Sequence, residues 1–424
     1  MFVQLKNAAF ATVEPTDRRL SGQVVLPGSK SVTNRALLLA ALARGTSELS
    51  NVLDSDDTHY MTLALRDMGV KIVKDVDQNV VRVHGTGELV RPKKALFLGN
   101  AGTAMRFLAG AAALVEGEVT LDGDEYMRKR PIGPLAKALA DLGFLVKVKG
   151  GCPPLSITGG GNFEKAELEI DAGMSSQYVS AIMMMAGAAN TQLNLTLPTP
   201  DIGGRGYIEI TLRLMKEFGN EVKEINKSHW VISPKGYQNR EYTIEPDASA
   251  ATYIWGLSAV AGGNIDLGVS PSDMVQPDAK AFYIIEKFPN FPAEVDGRQI
   301  QDSIPTIAVL AAFSGKNVRF TGVENIRIKE CDRVMAIYQG INSMHEGKAR
   351  IEGDDLIVLG ESFDQDLENV AEIETYDDHR IAMAFSIAGI KRKNVKIKNP
   401  WCVAKTFPSY WNCLQELGIS VRIY

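Results

Sequence analysis

The chain has 424 residues, 45% of them apolar and 23% charged, a soluble globular composition with too many residues for one ordinary core, so two domains are expected. Its 46 basic and 51 acidic residues leave a net charge of −5, which argues against a nucleic-acid binder working through a broad basic surface and requires any anionic ligand to be met by a local cluster of cations. No run of 18 apolar residues occurs, and Met1 to Glu14 lacks a basic start followed by an unbroken apolar stretch, so no membrane partner and a cytoplasmic location are expected.

In chain order, one phrase recurs six times: a glycine or acidic residue, a few small polar residues, then an apolar helix rich in alanine and leucine. The copies are GSKSVTNRALLLAAL from Gly28, GNAGTAMRFLAGAAAL from Gly99, DAGMSSQYVSAIMMMA from Asp171, DASAATYIWGLSAV from Asp247, DSIPTIAVLAAF from Asp302 and DDHRIAMAFSIAGI from Asp377. Aligned on Ser31, Thr103, Ser176, Ser249, Thr306 and Arg380, the steps are 72, 73, 73, 57 and 74 residues. A second phrase, an amphipathic helix closed by glycine and followed by an extended run, is interleaved at Gly69, Gly143, Gly219 and Gly418. Glycine in that place is what a left-handed helix C-cap requires. Each unit therefore reads as an α/β element of helix, strand, helix and strands, and six units suggest two domains of three. The step from Ser249 to Thr306 falls 16 residues short of the period, 73 − 57, which predicts that the fourth unit lacks a β-hairpin.

The four cysteines, Cys152, Cys331, Cys402 and Cys413, form no Cys-x-x-Cys pair and read as free buried thiols. The five histidines lack the i, i+4 spacing of two ligands on one helix face, and Asp54, Asp56 and Asp57 read as helix-capping residues. No metal site and no cofactor are expected.

The loops entering the first helix of each unit repeatedly carry small polar residues and cations. Helix N-termini offer unpaired N–H groups and about half a positive charge each, so several together make an anion site. The phrase GSKS lacks the full Walker spacing around Lys30, which argues against nucleotide triphosphates. The cations in such places are Lys30, Arg35, Arg106, Arg130, Lys329, Arg333, His379 with Arg380, and Lys405. Singly, each would read as a solvated surface charge. Together they can grip phosphate or carboxylate through paired, charge-assisted hydrogen bonds.

The segments LPGSKSVTNRALLLAALA, LFLGNAGTAMR, RPIGPL, SSQYVSA, IKECDR, YDDHRIAMAFS and AKTFPSYW resemble, in order and from about Leu20 to Trp411, the signatures of the 5-enolpyruvylshikimate-3-phosphate synthase family. The resemblance implies an α/β (α+β) fold of two similar domains, each of three βαβαββ units, with the active site in the interdomain cleft. It places the domains at 1–27 with 246–424, and at 28–245. It implies transfer of the enolpyruvyl group of phosphoenolpyruvate to shikimate 3-phosphate by a monomeric enzyme of chorismate and aromatic amino acid biosynthesis. By the same resemblance, phosphoenolpyruvate is met by Lys30, Asn100, Gly102, Arg130, Gln177, Arg333, Arg380 and Lys405, and Thr103 is a further substrate-binding residue. Shikimate 3-phosphate is met by Ser31, Arg35, Ser175, Ser176, Gln177, Tyr207, Asp302, Asn325 and Lys329. Asp302, with Lys30, handles the hydroxyl proton; Glu330 protonates and deprotonates the methyl carbon; His379 and Lys405 stabilise charge.

Two positions depart from the family. Phe107 stands where proline follows TAMR, and is expected to shift the Gly102–Thr103 turn and weaken binding of the herbicide glyphosate, which occupies the phosphoenolpyruvate site in this family. Gly204 stands in place of a phosphate-binding serine, with Arg205 as the candidate replacement. Two other readings are an enolpyruvyl transferase acting on UDP-N-acetylglucosamine, which uses a mobile-loop cysteine with no counterpart in the second unit here, and a non-catalytic binding protein for phosphorylated metabolites. The latter would have no need of both Asp302 and Glu330.

Overall fold

The computed structural model describes residues 8–75, 80–163, 165–364 and 367–424. Contacts divide the chain into two compact units, one of Gly28–Glu245 and one of Pro246–Tyr424 with the described residues up to Pro27.

Within Gly28–Glu245 the local pattern repeats three times. In the middle repeat, strand Leu96–Phe97 leads to helix Gly102–Ala112, strand Gly117–Asp122, helix Gly133–Asp141 and the hairpin strands Leu145–Lys149 and Cys152–Gly159. Leu96–Phe97 pairs parallel with Gly117–Asp122, whose other edge takes Cys152–Gly159 antiparallel. A parallel pair needs a crossover, which the helix supplies, whereas a short turn suffices for the hairpin. The next repeat has the same plan, its sheet running Glu167–Glu169, Leu193–Thr196, His229–Ile232 and Lys223–Asn226. The first repeat takes its parallel strand from the far end of the unit: Tyr237–Gln238 and Glu241–Thr243 both pair with Ala43–Ser50.

The first helix of each repeat is apolar on all sides and is buried nearly throughout, as in Lys30–Leu42, Gly102–Ala112 and Ser176–Ala188. Such a helix belongs inside a core rather than on its surface. Gly102–Ala112 packs on both of the others, so closely at Gly110 that a Cβ there would lie 2.7 Å from the Ala181 carbonyl oxygen. The second helices are amphipathic. Gly69, Gly143, Gly219 and, in the other unit, Gly418 follow their last turns with φ of 91°, 103°, 87° and 81°, the left-handed closure read from the sequence.

The second unit is also built of three repeats, and it draws on the chain's amino-terminal strands. Phe10–Val13 lies between Val395–Lys398 and Val421–Ile423 in the last sheet, and Leu20–Gln23 pairs parallel with Gly263–Asp266. That last pair stays two-stranded, where four of the other described sheets continue into an antiparallel hairpin and the last sheet continues into the antiparallel pair Phe10–Val13 and Val421–Ile423. The missing hairpin accounts for the short repeat step. In its place run the 3₁₀ turns Pro271–Asp273 and Pro277–Ala281 and the one-turn helix Phe282–Ile285, beside a cavity of about 540 Å³ lined by Trp255, Ile265, Phe282 and Phe288 among others. Helices Ala248–Ala261, Ile304–Ala312 and His379–Gly389 pack on one another to form this unit's core. No helix among the described residues is long and apolar enough to cross a membrane.

Candidate active site

The predicted site residues fall into two clusters, one in each unit. In Gly28–Glu245, Ser29 caps the helix that begins at Lys30 by accepting from Val32 N at 3.2 Å, which places Lys30 and Ser31 in its first turn. Lys30 is 8% exposed, and its ammonium lies 3.5 Å from the Asp57 carboxylate. Asp57 was not foreseen in this role. The capping residue of its helix is Ser55, in a reciprocal capping box with Thr58, which corrects the reading of the aspartates as caps and leaves Asp57, 2% exposed, to face Lys30.

One turn on, Arg35 is 1% exposed. Its guanidinium donates to Thr211 Oγ1 at 2.7 Å, Ser31 O at 2.9 Å, Ser180 Oγ at 3.2 Å and Tyr207 O at 3.1 Å, and it lies 4.8 Å from the centre of the Phe107 ring. Every acceptor is neutral, so burial lowers its pKa to about 9, opposed only by Tyr207. It remains a cation at neutral pH and fixes Ser31 and Tyr207 about itself.

A second group surrounds Gln177. Ser175 caps that helix by accepting from Gln177 N at 3.2 Å, with Ser176 next in line. The Gln177 amide donates to Thr103 Oγ1 at 3.2 Å and accepts from Arg106 at 2.9 Å. Arg130 reaches Asn100 Oδ1 at 3.0 Å, and its guanidinium packs so tightly on Gly102 that a Cβ there would come within 2.6 Å of it. Arg106 therefore joins Asn100, Gly102, Thr103, Arg130 and Gln177. Gly204 lies beside Ser176 and Tyr207, yet Arg205 does not replace the missing serine. Its guanidinium is held by the Lys227 carbonyl, Glu209 at 3.2 Å and Glu224 at 3.5 Å, and it packs over Trp230 at 5.5 Å.

In the other unit the cluster is a buried ion network centred on Arg333, which is 1% exposed. Arg333 Nε donates to Asp378 Oδ2 at 2.7 Å, Nη1 to Asp302 Oδ1 at 2.8 Å and Nη2 to Glu330 Oε2 at 2.8 Å. Arg380 takes the other Asp302 oxygen at 2.6 Å and donates to the Tyr253 hydroxyl at 3.3 Å. Lys405 meets the other Glu330 oxygen at 3.1 Å. Asp378 also caps the helix that opens with His379 and Arg380, accepting from Arg380 N at 2.9 Å. The His379 ring is fully buried, 3.7 Å from Asp378. Asn325 and Lys329 stand on the 3₁₀ turn Glu324–Ile328 and the residue closing it, just before Glu330.

Burial alone would lower the Arg333 pKa, but Asp378, Glu330 and Asp302 outweigh it and raise the value. Arg380 is raised likewise, Asp302 overcoming burial. The Cys331 thiol is pushed up by burial and by Asp378, so it stays protonated and is no nucleophile. Sequence reading missed Asp378 and Tyr253. The available signal for Asp378 was an aspartate at the N-cap place directly before a His-Arg pair.

Because the Arg333 pKa is raised, its contribution to stability is complete at every pH below its ordinary value, the neutral range included. An Arg333→Met variant leaves three carboxylates facing one another and is expected to lose about 3–5 kcal/mol in urea unfolding at about pH 7. The loss should be the same at about pH 8, where Arg333 is still fully charged. A loss below about 1 kcal/mol at both would contradict a network of this kind.

The chain that carries these two clusters, one with three carboxylates and three cations and the other rich in arginine and amide groups, is similar to known proteins along nearly its whole length. The family model for EPSP synthase (3-phosphoshikimate 1-carboxyvinyltransferase) matches residues 15–414. The 3-phosphoshikimate 1-carboxyvinyltransferase of Rhizobium etli is 52% identical over 99% of both chains, and that of Pseudomonas syringae pv. tomato is 50% identical over 99% of this chain and all of its own. Among solved structures, EPSP synthase from Acinetobacter baumannii superposes with a TM-score of 0.78 at 25% identity, covering 98% of this chain and 100% of its own. With both sequence and fold matched along nearly their whole length, the chain belongs to the EPSP synthase family.

Proposed function

We propose that the protein transfers the enolpyruvyl group of phosphoenolpyruvate to the 5-hydroxyl of shikimate 3-phosphate and releases phosphate, a step towards chorismate and the aromatic amino acids. The observation that carries the mechanism is the bridging of Asp302 and Glu330 by one buried arginine. The reaction needs a proton taken from oxygen and a proton given to carbon, then both transfers reversed, and two fixed carboxylates meet that need.

In the addition step, the 5-hydroxyl oxygen bonds to the central carbon of phosphoenolpyruvate, its proton passing to Asp302 with Lys30 assisting. The methylene carbon takes a proton from Glu330 and becomes a methyl group. In the elimination step, the bond from the central carbon to the phosphate oxygen breaks, Glu330 removes a methyl proton, and the phosphate leaves with the proton that Asp302 took, so both carboxylates return to their starting states. Arg333 and Arg380 aim Asp302, while Arg333 and Lys405 aim Glu330, so neither carboxylate has to reorganise as charge develops.

We assign Lys30, Asn100, Gly102, Thr103, Arg130, Gln177, Arg333, Arg380 and Lys405 to phosphoenolpyruvate, with His379 and Lys405 stabilising charge on the departing phosphate. Ser31, Arg35, Ser175, Ser176, Gln177, Tyr207, Asp302, Asn325 and Lys329 take shikimate 3-phosphate. The neutral surroundings of Arg35 support this division, since its charge is met by no carboxylate among the described residues and favours an incoming anion. The Arg35–Phe107 stack also couples Phe107 to both substrate groups, because Phe107 shares its helix with Gly102, Thr103 and Arg106.

Purified protein given phosphoenolpyruvate should release phosphate with shikimate 3-phosphate and not with UDP-N-acetylglucosamine. Glu330→Gln should lower kcat by about 100-fold or more. Release with the nucleotide sugar alone would move the protein to the other acceptor, and no release with either would leave a binding protein. Phe107→Pro should be inhibited at lower glyphosate concentrations than wild type; coincident inhibition curves would contradict the role given to Phe107.

A further inference from the structure

Five non-glycine residues among those described adopt left-handed backbone conformations, and three of them lie together: Tyr376, Asp377 and Asn399, with φ of 53°, 57° and 52°. Two such residues in succession are costly, the tyrosine above all, and persist only where surrounding contacts enforce them. The place is where two strands end and two site elements begin. Strands Ala371–Ile373 and Val395–Lys398 run parallel, with Ile373 opposite Ile397 as their last pair. Beyond it the first strand turns into the helix that opens with His379 and Arg380, and the second into the 3₁₀ segment Pro400–Lys405.

Cross-links continue past the end of the sheet. Lys398 pairs with Glu374 at 2.6 Å, Thr375 Oγ1 donates to Lys398 O at 3.0 Å, and the Asn399 side-chain amide donates to Asp377 Oδ1. Tyr376 is tied to the Arg333 helix by its hydroxyl, which donates to Gln339 Oε1 at 2.5 Å. On its other side Asn399 N donates to Ala9 O at 2.9 Å. Asp377 is thus fixed one residue before the cap Asp378 and three before Arg380, and Asn399 at the root of the segment that ends in Lys405.

We infer that Asp377 and Asn399 form a positioning latch, which sets the Lys405 segment against the start of the Arg380 helix so that Lys405 reaches Glu330 while Arg380 reaches Asp302. Neither latch residue touches those carboxylates; both act through the cations. The inference rests on the functional reading above, in which Lys405 and Arg380 serve phosphoenolpyruvate.

The competing role for Asn399 is purely local, since asparagine tolerates a left-handed backbone better than most residues. Glycine tolerates it better still. Asn399→Gly therefore keeps the backbone and deletes the amide. Under the latch, kcat/KM for phosphoenolpyruvate falls about 10- to 100-fold, as expected when a positioned group shifts by about an ångström, while KM for shikimate 3-phosphate stays within about twofold. Asn399→Asp sets two carboxylates against each other and is equally impaired. The exchange Asp377→Asn with Asn399→Asp restores one donor and one acceptor and should recover to within about threefold of wild type, which a loss of folding would not do.

Wild-type kinetics for Asn399→Gly, or an exchanged pair no better than Asn399→Asp alone, would overturn the latch. Wild-type protein that releases no phosphate from the two substrates would overturn the functional reading, and the latch with it.

Discussion

A buried arginine with three carboxylate partners is the constraint on which the carboxy-terminal unit depends. Arg333 and Glu330 lie three residues apart, whereas Asp302 and Asp378 come from distant stretches of chain, and none could be buried alone at acceptable cost. Taking each ion out of water costs several kcal/mol, and only close, well-aligned partners offset it. The network meets that condition with contacts of 2.7–2.8 Å to Arg333, and Arg380 and Lys405 occupy the remaining oxygens of Asp302 and Glu330. A charge-balanced network of this kind is weak evidence for stability and stronger evidence for placement. Each carboxylate is held from two sides, so its orientation is fixed before any ligand arrives.

The amino-terminal cluster follows a different rule. Arg35 lies among hydroxyls and carbonyls, with burial pulling its pKa down to about 9, and Gln177 joins Arg106 to Thr103 through its amide. Neutral acceptors orient a guanidinium without cancelling its charge. Under the proposed reaction, the carboxy-terminal unit fixes the carboxylates that move protons, and in the other unit the neutral partners of Arg35 leave its positive charge for an anion. That division suits a reaction in which two phosphorylated substrates must be gripped while protons move at carbon and oxygen.

Much of this was legible in the sequence because it is local. The six apolar helices follow from composition and period, and Gly69, Gly143, Gly219 and Gly418 mark left-handed closures that few other residues accept. The short step between Ser249 and Thr306 foretold the two-stranded fourth sheet. What stayed hidden depends on partners far apart in the chain. Asp378 reads locally as one of two aspartates before a helix, and only the fold brings it to Arg333, 45 residues away. Asp57 looked like a cap until Ser55 took that role. Arg205 seemed free to replace a lost serine, but strand pairing around Trp230 brings it to Glu224 and the Lys227 carbonyl instead.

The central claim is that a carboxylate held by Arg333 and Lys405 gives a proton to carbon and takes one back. Its most direct test is the reaction run in D2O, with the vinyl carbon of the product and of recovered phosphoenolpyruvate analysed by mass spectrometry and NMR. Reversible protonation makes a methyl group that carries one solvent-derived deuteron and then loses one of its three hydrogens, so deuterium should appear at the vinyl carbon and should fall sharply in Glu330→Gln. Product formed at the full rate with no deuterium at that carbon would contradict the account.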